Sequence, residues 1–182
     1  MKITIGHFFY DLLNLYGESG NVIALKKALE MQGLEVEIRN LSLANTPWNL
    51  NDLDVLYIGA GTEQNQMLAL NTLLKYKDEI TQMFMNNKYI IATGNAIELF
   101  GKSIKTQNEE ILTLNIFDYI TQRSPQRIVS ECVFECDEIE DKILGFENHQ
   151  GTIHGITTPL FTVIKGFSSI EIINSKTFKA RC

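Results

Sequence analysis

The chain has 182 residues, of which 45% are hydrophobic and 21% charged, and its formal net charge is −6 at pH 7. This composition is typical of a globular protein and excludes an extensively disordered one. The acidic balance disfavours nucleic acid and anionic membranes as partners, and no apolar run approaches the roughly 18 residues of a membrane span. We therefore expect one domain over residues 1–182 in a soluble, cytoplasmic protein.

The first third of the chain predicts a strand, a loop, a helix and a second strand. Residues 2–9 are mostly apolar and β-branched, and a loop follows them. Apolar residues then recur at helical spacing from Asn21, the expected N-cap, to Gly33 just past the end. Residues 34–39 alternate between apolar and charged side chains, which predicts a strand near a sheet edge.

The middle of the chain continues this alternation of strands and helices. Residues 53–58 form a nearly continuous apolar run, which is typical of a central strand covered on both faces. A long helical pattern at 63–86, a short strand at 89–93 and a short helix at 96–100 follow. This order predicts an α/β fold with a mostly parallel sheet flanked by helices.

The C-terminal part has a different pattern. Short strand-like segments occur at 115–121, 127–136, 142–146 and 160–165, with no convincing helix between them. We expect a β-rich part that packs on the same domain.

The three cysteines, Cys132, Cys136 and Cys182, are an odd number clustered late in the chain, unlike the framework of a secreted disulfide-rich domain. Cys132 and Cys136 share parity along a predicted strand, so about 13 Å would separate them, too far for a disulfide bond. Neither His149 nor His154 completes a metal-ligand pattern with them. We expect no metal and no cofactor.

Three loops, at residues 10–21, 59–66 and 93–98, follow the carboxyl ends of predicted parallel strands, where such sheets bind ligands. The glycines of the second loop lead into a helix N-terminus, which suits an anion or oxyanion but is also common for packing. The third loop has the strand, tight turn and helix of a nucleophile elbow, yet no Ser or Cys stands at its apex. Thr93 is the hydroxyl nearest the apex, and the sequence identifies no base for it.

Three blocks carry a resemblance to a known family: residues 11–21 (DLLNLYGESGN), 58–66 (IGAGTEQNQ) and 145–151 (GFENHQG). They resemble blocks of the GatD-type subunit of lipid II isoglutaminyl synthase, in the cobyric-acid-synthase-like branch of class I glutamine amidotransferases. The resemblance spans about residues 2–167 and implies a flavodoxin-like class I glutamine amidotransferase fold. It further implies a heterodimer in which this subunit hydrolyses glutamine and passes ammonia to a Mur-ligase-like, MurT-type partner that amidates D-glutamate during peptidoglycan synthesis.

The resemblance also marks where this chain departs from the family. The family's nucleophilic Cys aligns with Gly94, which is not competent, and residues 95–98 (NAIE) replace the usual Gly, Gly, Tyr and Gln. The family's C-terminal His block lies beyond Cys182, so the domain is expected to be truncated before it. His149 and His154 are not substitutes by resemblance.

Elements of ligand binding are retained in this comparison. Arg127 looks like the family arginine expected to bind the glutamine carboxylate through a bidentate pair, although a solvated sheet-edge arginine is the alternative. Gly61, in the loop that matches the oxyanion loop, could offer its N–H. Glu98 replaces a neutral glutamine, and its carboxylate would oppose a thiolate or an anionic ligand.

Several functions remain open on the sequence. The first is a non-catalytic amidotransferase-like subunit that docks on a Mur-ligase-type partner. Others are a glutaminase with another nucleophile, such as Thr93 or Cys132, and a binding module for a different small molecule over residues 59–66. A truncated product of a damaged gene is the last.

Overall fold

The computed structural model describes residues 1–137, 139–157, 159–166 and 170–172. Its contacts divide the chain into two compact units, Met1–Leu99 and Phe100–Cys182. The expectation of a single domain stays a prediction. None of the helices in the described part of the chain is long and apolar enough to cross a membrane.

The first unit is built on a four-stranded sheet in which all neighbouring strands are parallel. Its elements are β1 (Lys2–Phe8), α1 (Glu18–Met31), β2 (Glu35–Leu41), β3 (Val55–Ile58), α2 (Glu63–Leu73), α3 (Lys77–Met85) and β4 (Tyr89–Ala92). The strand order is β2-β1-β3-β4. The predicted parallel α/β layer is therefore confirmed, with β2 at an edge and β3 inside the sheet.

Apolar burial explains this arrangement. All four residues of β3 are buried, as expected of a strand covered on both faces. One cluster of buried side chains joins the strands to α1, and it consists of Ile5, Val22, Val36, Val55 and Tyr57. The helical spacing of apolar residues in α1 therefore serves to cover the sheet.

Two helix boundaries differ from expectation. The expected N-cap at Asn21 is wrong, because α1 begins at Glu18 and the Asn21 side chain bonds to Glu18 and Tyr57 instead. The single long helix over 63–86 is divided by a 3-10 turn at Leu74–Tyr76. At this 3-10 turn the Tyr76 ring stacks on Trp48, with ring centroids 4.9 Å apart. The Tyr76 hydroxyl accepts a hydrogen bond from the backbone N–H of Trp48.

The second unit is β-rich, as predicted. Its strands are β5 (Ser103–Lys105), β6 (Glu110–Leu112), β7 (Ile120–Cys136), β8 (Ile139–Ile156), β9 (Thr162–Lys165) and β10 (Ile170–Ile172). They follow the order β10-β8-β7-β5-β6, and β9 also pairs with β7.

The expected short strands at 127–136 and 142–146 are parts of one long antiparallel hairpin formed by β7 and β8. The segment 115–121 is mostly a loop, because β7 begins only at Ile120. In both strands of the hairpin, exposed residues largely alternate with half-buried ones. Several half-buried positions carry polar residues, so the alternation of apolar and polar residues that marks a half-buried strand is weak. Cys132 and Cys136 are free, buried thiols, and Cys182 lies outside the described residues.

Candidate functional site

The three predicted loops meet at the carboxyl ends of β3 and β4 in the first unit. These strands pair in parallel up to Ile58 and Ala92, and the Thr93 N–H donates to the Ile58 carbonyl at 3.1 Å. The loop at 10–17 joins them, because the Leu15 N–H donates to the Ala60 carbonyl at 3.0 Å. The topology thus assembles one site from three segments that the sequence placed only separately.

The third loop has the geometry of a nucleophile elbow. Directly after β4, Gly94 has a φ of 54°, and a 3-10 helix runs over Gly94–Phe100. A Cβ at Gly94 would lie 2.8 Å from the Cβ of Ala60, a separation that requires a shift of one of the two residues. The left-handed turn of an elbow is present, and a residue without a side chain occupies its apex.

The second loop is tied to this elbow through Asn95. The Asn95 Oδ1 accepts a hydrogen bond from the Gly61 N–H at 3.1 Å, and the Asn95 Nδ2 donates to the Gly61 carbonyl at 2.9 Å. An added Cβ at Gly61 would meet the buried side chain of Leu13, which would have to shift. The N–H that the sequence offered as an oxyanion donor is therefore engaged within the chain.

The elbow helix is held from its other side by Gln66, which is fully buried on α2. Its Nε2 donates to the Asn95 carbonyl at 2.5 Å and to Oε2 of Glu98 at 3.1 Å. Glu98 itself is 6% exposed. The Glu98 carboxylate, which the sequence analysis considered as a group opposing an anionic ligand, is thus buried against α2.

Sequence reasoning missed a buried carboxylate below the elbow. Glu18 is 3% exposed, and its Oε2 accepts hydrogen bonds from the hydroxyls of Tyr57 and Thr93, both at 2.7 Å, and from Asn21 Nδ2 at 3.1 Å. Burial alone would raise its pKa. The hydrogen bonds outweigh burial, and the pKa of Glu18 lies below its ordinary value. The sequence placed Glu18 in the predicted loop at 10–21, ahead of the expected helix, so no helical periodicity marked it as buried.

This cluster bears on Thr93 as a possible nucleophile. Its hydroxyl donates to a carboxylate whose pKa is lowered, and such a carboxylate is a weak base. Burial raises the pKa of the neighbouring Tyr57, which therefore stays protonated. The geometry does not provide Thr93 with an activating base.

His7, at the end of β1, is a second buried titratable group that the sequence did not single out. It is 3% exposed, and its ring meets the Tyr57 ring edge-on with centroids 5.5 Å apart. Its Nε2 has no hydrogen-bond partner among the described residues. Burial lowers the pKa of His7, so the folded protein holds a neutral imidazole.

The remaining sequence candidates belong to the second unit. Arg127 is exposed on β7, and its Nε donates to Oδ1 of Asn148 at 2.5 Å. Cys132 is 2% exposed, and its thiol faces the Ser130 hydroxyl at 3.9 Å. His149 and His154 lie on β8, where His149 Nε2 is 3.7 Å from Glu147 Oε2. Among the described residues, no cluster of His, Cys, Asp or Glu could hold a metal ion.

This chain is similar to two GatD subunits of lipid II isoglutaminyl synthase. One is the "Lipid II isoglutaminyl synthase (glutamine-hydrolyzing) subunit GatD" of Staphylococcus aureus (strain N315), 30% identical over 159 residues, covering 86% of this chain and 65% of that protein. The other is the subunit of the same name from Streptococcus pneumoniae (strain ATCC BAA-255 / R6), 25% identical over 152 residues, covering 82% of this chain and 58% of that protein. The chain therefore spans less than two thirds of the length of either relative.

A family match covers nearly the whole sequence. Residues 4–178 match the CobB/CobQ-like glutamine amidotransferase domain, so the match extends over both units. The elbow after β4 and the glycine loop after β3 lie within it. The chain belongs to the family of CobB/CobQ-like glutamine amidotransferase domains.

Proposed function

We propose that this chain is a glutamine amidotransferase-like subunit of a ligase that amidates lipid II in peptidoglycan synthesis, and that it does not hydrolyse glutamine itself. The similarity to two GatD subunits of lipid II isoglutaminyl synthase supports the process. The family match supports the kind of domain.

The observation that carries the non-catalytic part is the elbow without a nucleophile. Gly94 holds the left-handed apex, and all three cysteines of the sequence come after residue 131. The neighbouring Thr93 hydroxyl is bonded to Glu18. Removing the nucleophile from an enzyme of this kind costs up to about a millionfold in turnover, because no other group replaces the covalent step.

The proposed partner is a Mur-ligase-like, MurT-type subunit, because both relatives are named as subunits of a synthase. In this role the chain contributes to the ligase by docking, and the ligase takes ammonia from solution. Arg127 and Gly61 stay separate proposed contacts for glutamine: Arg127 is exposed on β7, whereas the Gly61 N–H is bonded to Asn95.

The first experiment measures which nitrogen source the complex uses. The chain is reconstituted with the Mur-ligase-like protein of its own host, and lipid II amidation is followed with either glutamine or ammonium. We expect amidation with ammonium and none above background with glutamine. The relative from Staphylococcus aureus with its own ligase serves as the positive control for glutamine.

Glutamine-dependent amidation by the reconstituted complex would contradict the proposal. Thr93→Val and Cys132→Ser would then identify the nucleophile, since each removes one candidate group.

The second experiment tests docking directly. Light scattering after size-exclusion chromatography of the two purified proteins should give a one-to-one complex. Two separate monomers at micromolar concentration would remove the docking role.

A further inference from the structure

The Asn95 side chain and the backbone of Gly61 form a closed pair of hydrogen bonds. The carboxamide oxygen accepts from the Gly61 N–H at 3.1 Å and the carboxamide nitrogen donates to the Gly61 carbonyl at 2.9 Å. The main chain of Asn95 is held as well, because the Gln66 side chain donates to its carbonyl at 2.5 Å. The buried residue Gly61 thus bonds both the oxygen and the nitrogen of the Asn95 carboxamide.

The place of this pair in the fold gives it a chemical meaning. In an elbow, the N–H of the residue after the apex and an N–H of a neighbouring loop together hold the oxygen of the substrate carbonyl. Asn95 is the residue after the apex, and Gly61 lies on the loop after the adjacent strand β3. The loop N–H therefore already holds an amide oxygen, supplied by the chain itself.

We propose that Asn95 is an internal carboxamide ligand that occupies the position of a glutamine side-chain amide and so excludes glutamine from this site. The inference rests on the proposed function, because it takes the Gly94 turn and the Gly61 loop as the amidotransferase site. Asn95 thereby becomes the residue that determines specificity for or against a carboxamide ligand.

Competition explains how one side chain can have this effect. The Asn95 carboxamide and the terminal group of glutamine are chemically the same, so they make the same hydrogen bonds to Gly61. The internal group is attached to the chain and has a high effective concentration, whereas free glutamine must displace it. The apparent affinity for glutamine falls in proportion to the fraction of molecules in which Gly61 is open.

The test uses the full chain with three substitutions. Asn95→Ala removes both hydrogen bonds, and Asn95→Asp keeps an acceptor for the Gly61 N–H but has no donor for its carbonyl. Asn71→Ala, at an exposed position of α2, is the matched control. Far-UV circular dichroism and the unfolding midpoint show that each variant is folded.

The first readout is hydrogen exchange of the Gly61 amide by NMR. We expect protection in the wild type and exchange at least about tenfold faster in Asn95→Ala, because this substitution removes the acceptor of the Gly61 N–H. Asn71→Ala should match the wild type, and Asn95→Asp should keep the protection. A Gly61 amide that is unprotected in the wild type, or equally protected in Asn95→Ala, overturns the proposal.

The second readout is the Gly61 amide resonance during titration with glutamine. We expect a saturable shift in Asn95→Ala and none in the wild type or in Asn71→Ala. Equal shifts in the wild type and Asn95→Ala, or no shift in either, overturn the exclusion of glutamine by Asn95. Binding to the Mur-ligase-like partner is measured separately for the wild type and Asn95→Ala. A failure to bind the partner counts against the proposed function and does not affect the hydrogen-exchange result.

Discussion

Glu18 is the residue on which the site depends most at the level of single side chains. It connects three segments, because its carboxylate binds Asn21 on α1, Tyr57 on β3 and Thr93 at the elbow. A buried carboxylate with three side-chain donors is stable as an anion, since these bonds replace its hydration. The lowered pKa of Glu18 follows from the same contacts.

We expect Glu18→Gln to lower the free energy of unfolding by about 1–3 kcal/mol, because a neutral amide with one acceptor oxygen replaces a carboxylate that accepts from Asn21, Tyr57, Thr93 and the backbone of Ala60. Urea unfolding followed by fluorescence of Trp48, the single tryptophan, measures the change in the unit that contains the site. Glu30→Gln, on an exposed part of the same helix, is the control and should change the stability by less than about 0.5 kcal/mol. Equal effects of the two substitutions would refute the special role of Glu18.

At the level of elements, the close approach of two loops favours glycine at position 94. The φ of 54° at Gly94 is unfavourable for any residue with a Cβ, and Ala60 on the adjacent loop occupies the space that a Cβ would enter. The left-handed turn at Gly94 and the close approach of the two loops are therefore coupled in this chain.

Gly94→Ala should destabilise the first unit by about 1–2 kcal/mol, because the left-handed conformation and the contact with Ala60 both become unfavourable. Ala60→Gly in the same chain should recover part of that loss by removing the opposing Cβ. Gly20→Ala is the matched control: Gly20 lies in α1 with nothing near its added Cβ, so we expect a neutral or slightly stabilising effect. The midpoints of urea unfolding are compared for the wild type, Gly94→Ala, the double variant with Ala60→Gly, and Gly20→Ala. An unchanged midpoint in Gly94→Ala would show that the turn does not require glycine.

For the whole molecule, His7 and Glu18 make stability depend on pH in two separate windows. The pKa of His7 is lowered by burial from its ordinary 6.5, so the unfolded chain takes up a proton before the folded one as the pH falls. Its contribution to stability is thus present above pH 6.5 and is lost below it. The pKa of Glu18 is lowered from 4.5, so its contribution is lost as the pH falls below 4.5.

We therefore expect the free energy of unfolding to fall between about pH 7 and pH 5.5 with a slope of at most about 1.4 kcal/mol per pH unit from His7. His7→Gln should remove this slope, whereas Glu18→Gln should keep it, because the Glu18 carboxylate only opposes the lowering of the His7 pKa by burial. Below pH 4.5 the roles should reverse, with Glu18→Gln the flatter curve. Parallel curves for wild type and His7→Gln above pH 5.5 would contradict the assignment.

Periodicity and turn chemistry were sufficient to predict the parallel layer. The alternating residues of β2 and the continuous apolar run of β3 each specify how many faces are covered, and those patterns gave the edge and central positions correctly. The β7–β8 hairpin was only partly predicted. The hairpin is long because its strands pair through their backbones over most of their length. Each face of these strands carries both polar and apolar residues, so hydrophobic periodicity does not reveal their full length.

The amino-acid sequence was enough to predict the parallel sheet and the three loops at the carboxyl ends of its strands, because these features are encoded by residues close together in the chain. The place of Gly94 at the apex of the elbow came from the family resemblance and stays a prediction. The sequence could not reveal the Glu18 cluster or the pairing of Asn95 with Gly61. Glu18 and Thr93 are 75 positions apart and Asn95 and Gly61 are 34 apart, so their hydrogen bonds exist only after the strands have brought the loops together. Which donors are engaged, and which carboxylate stays ionised in the interior, are consequences of that closure.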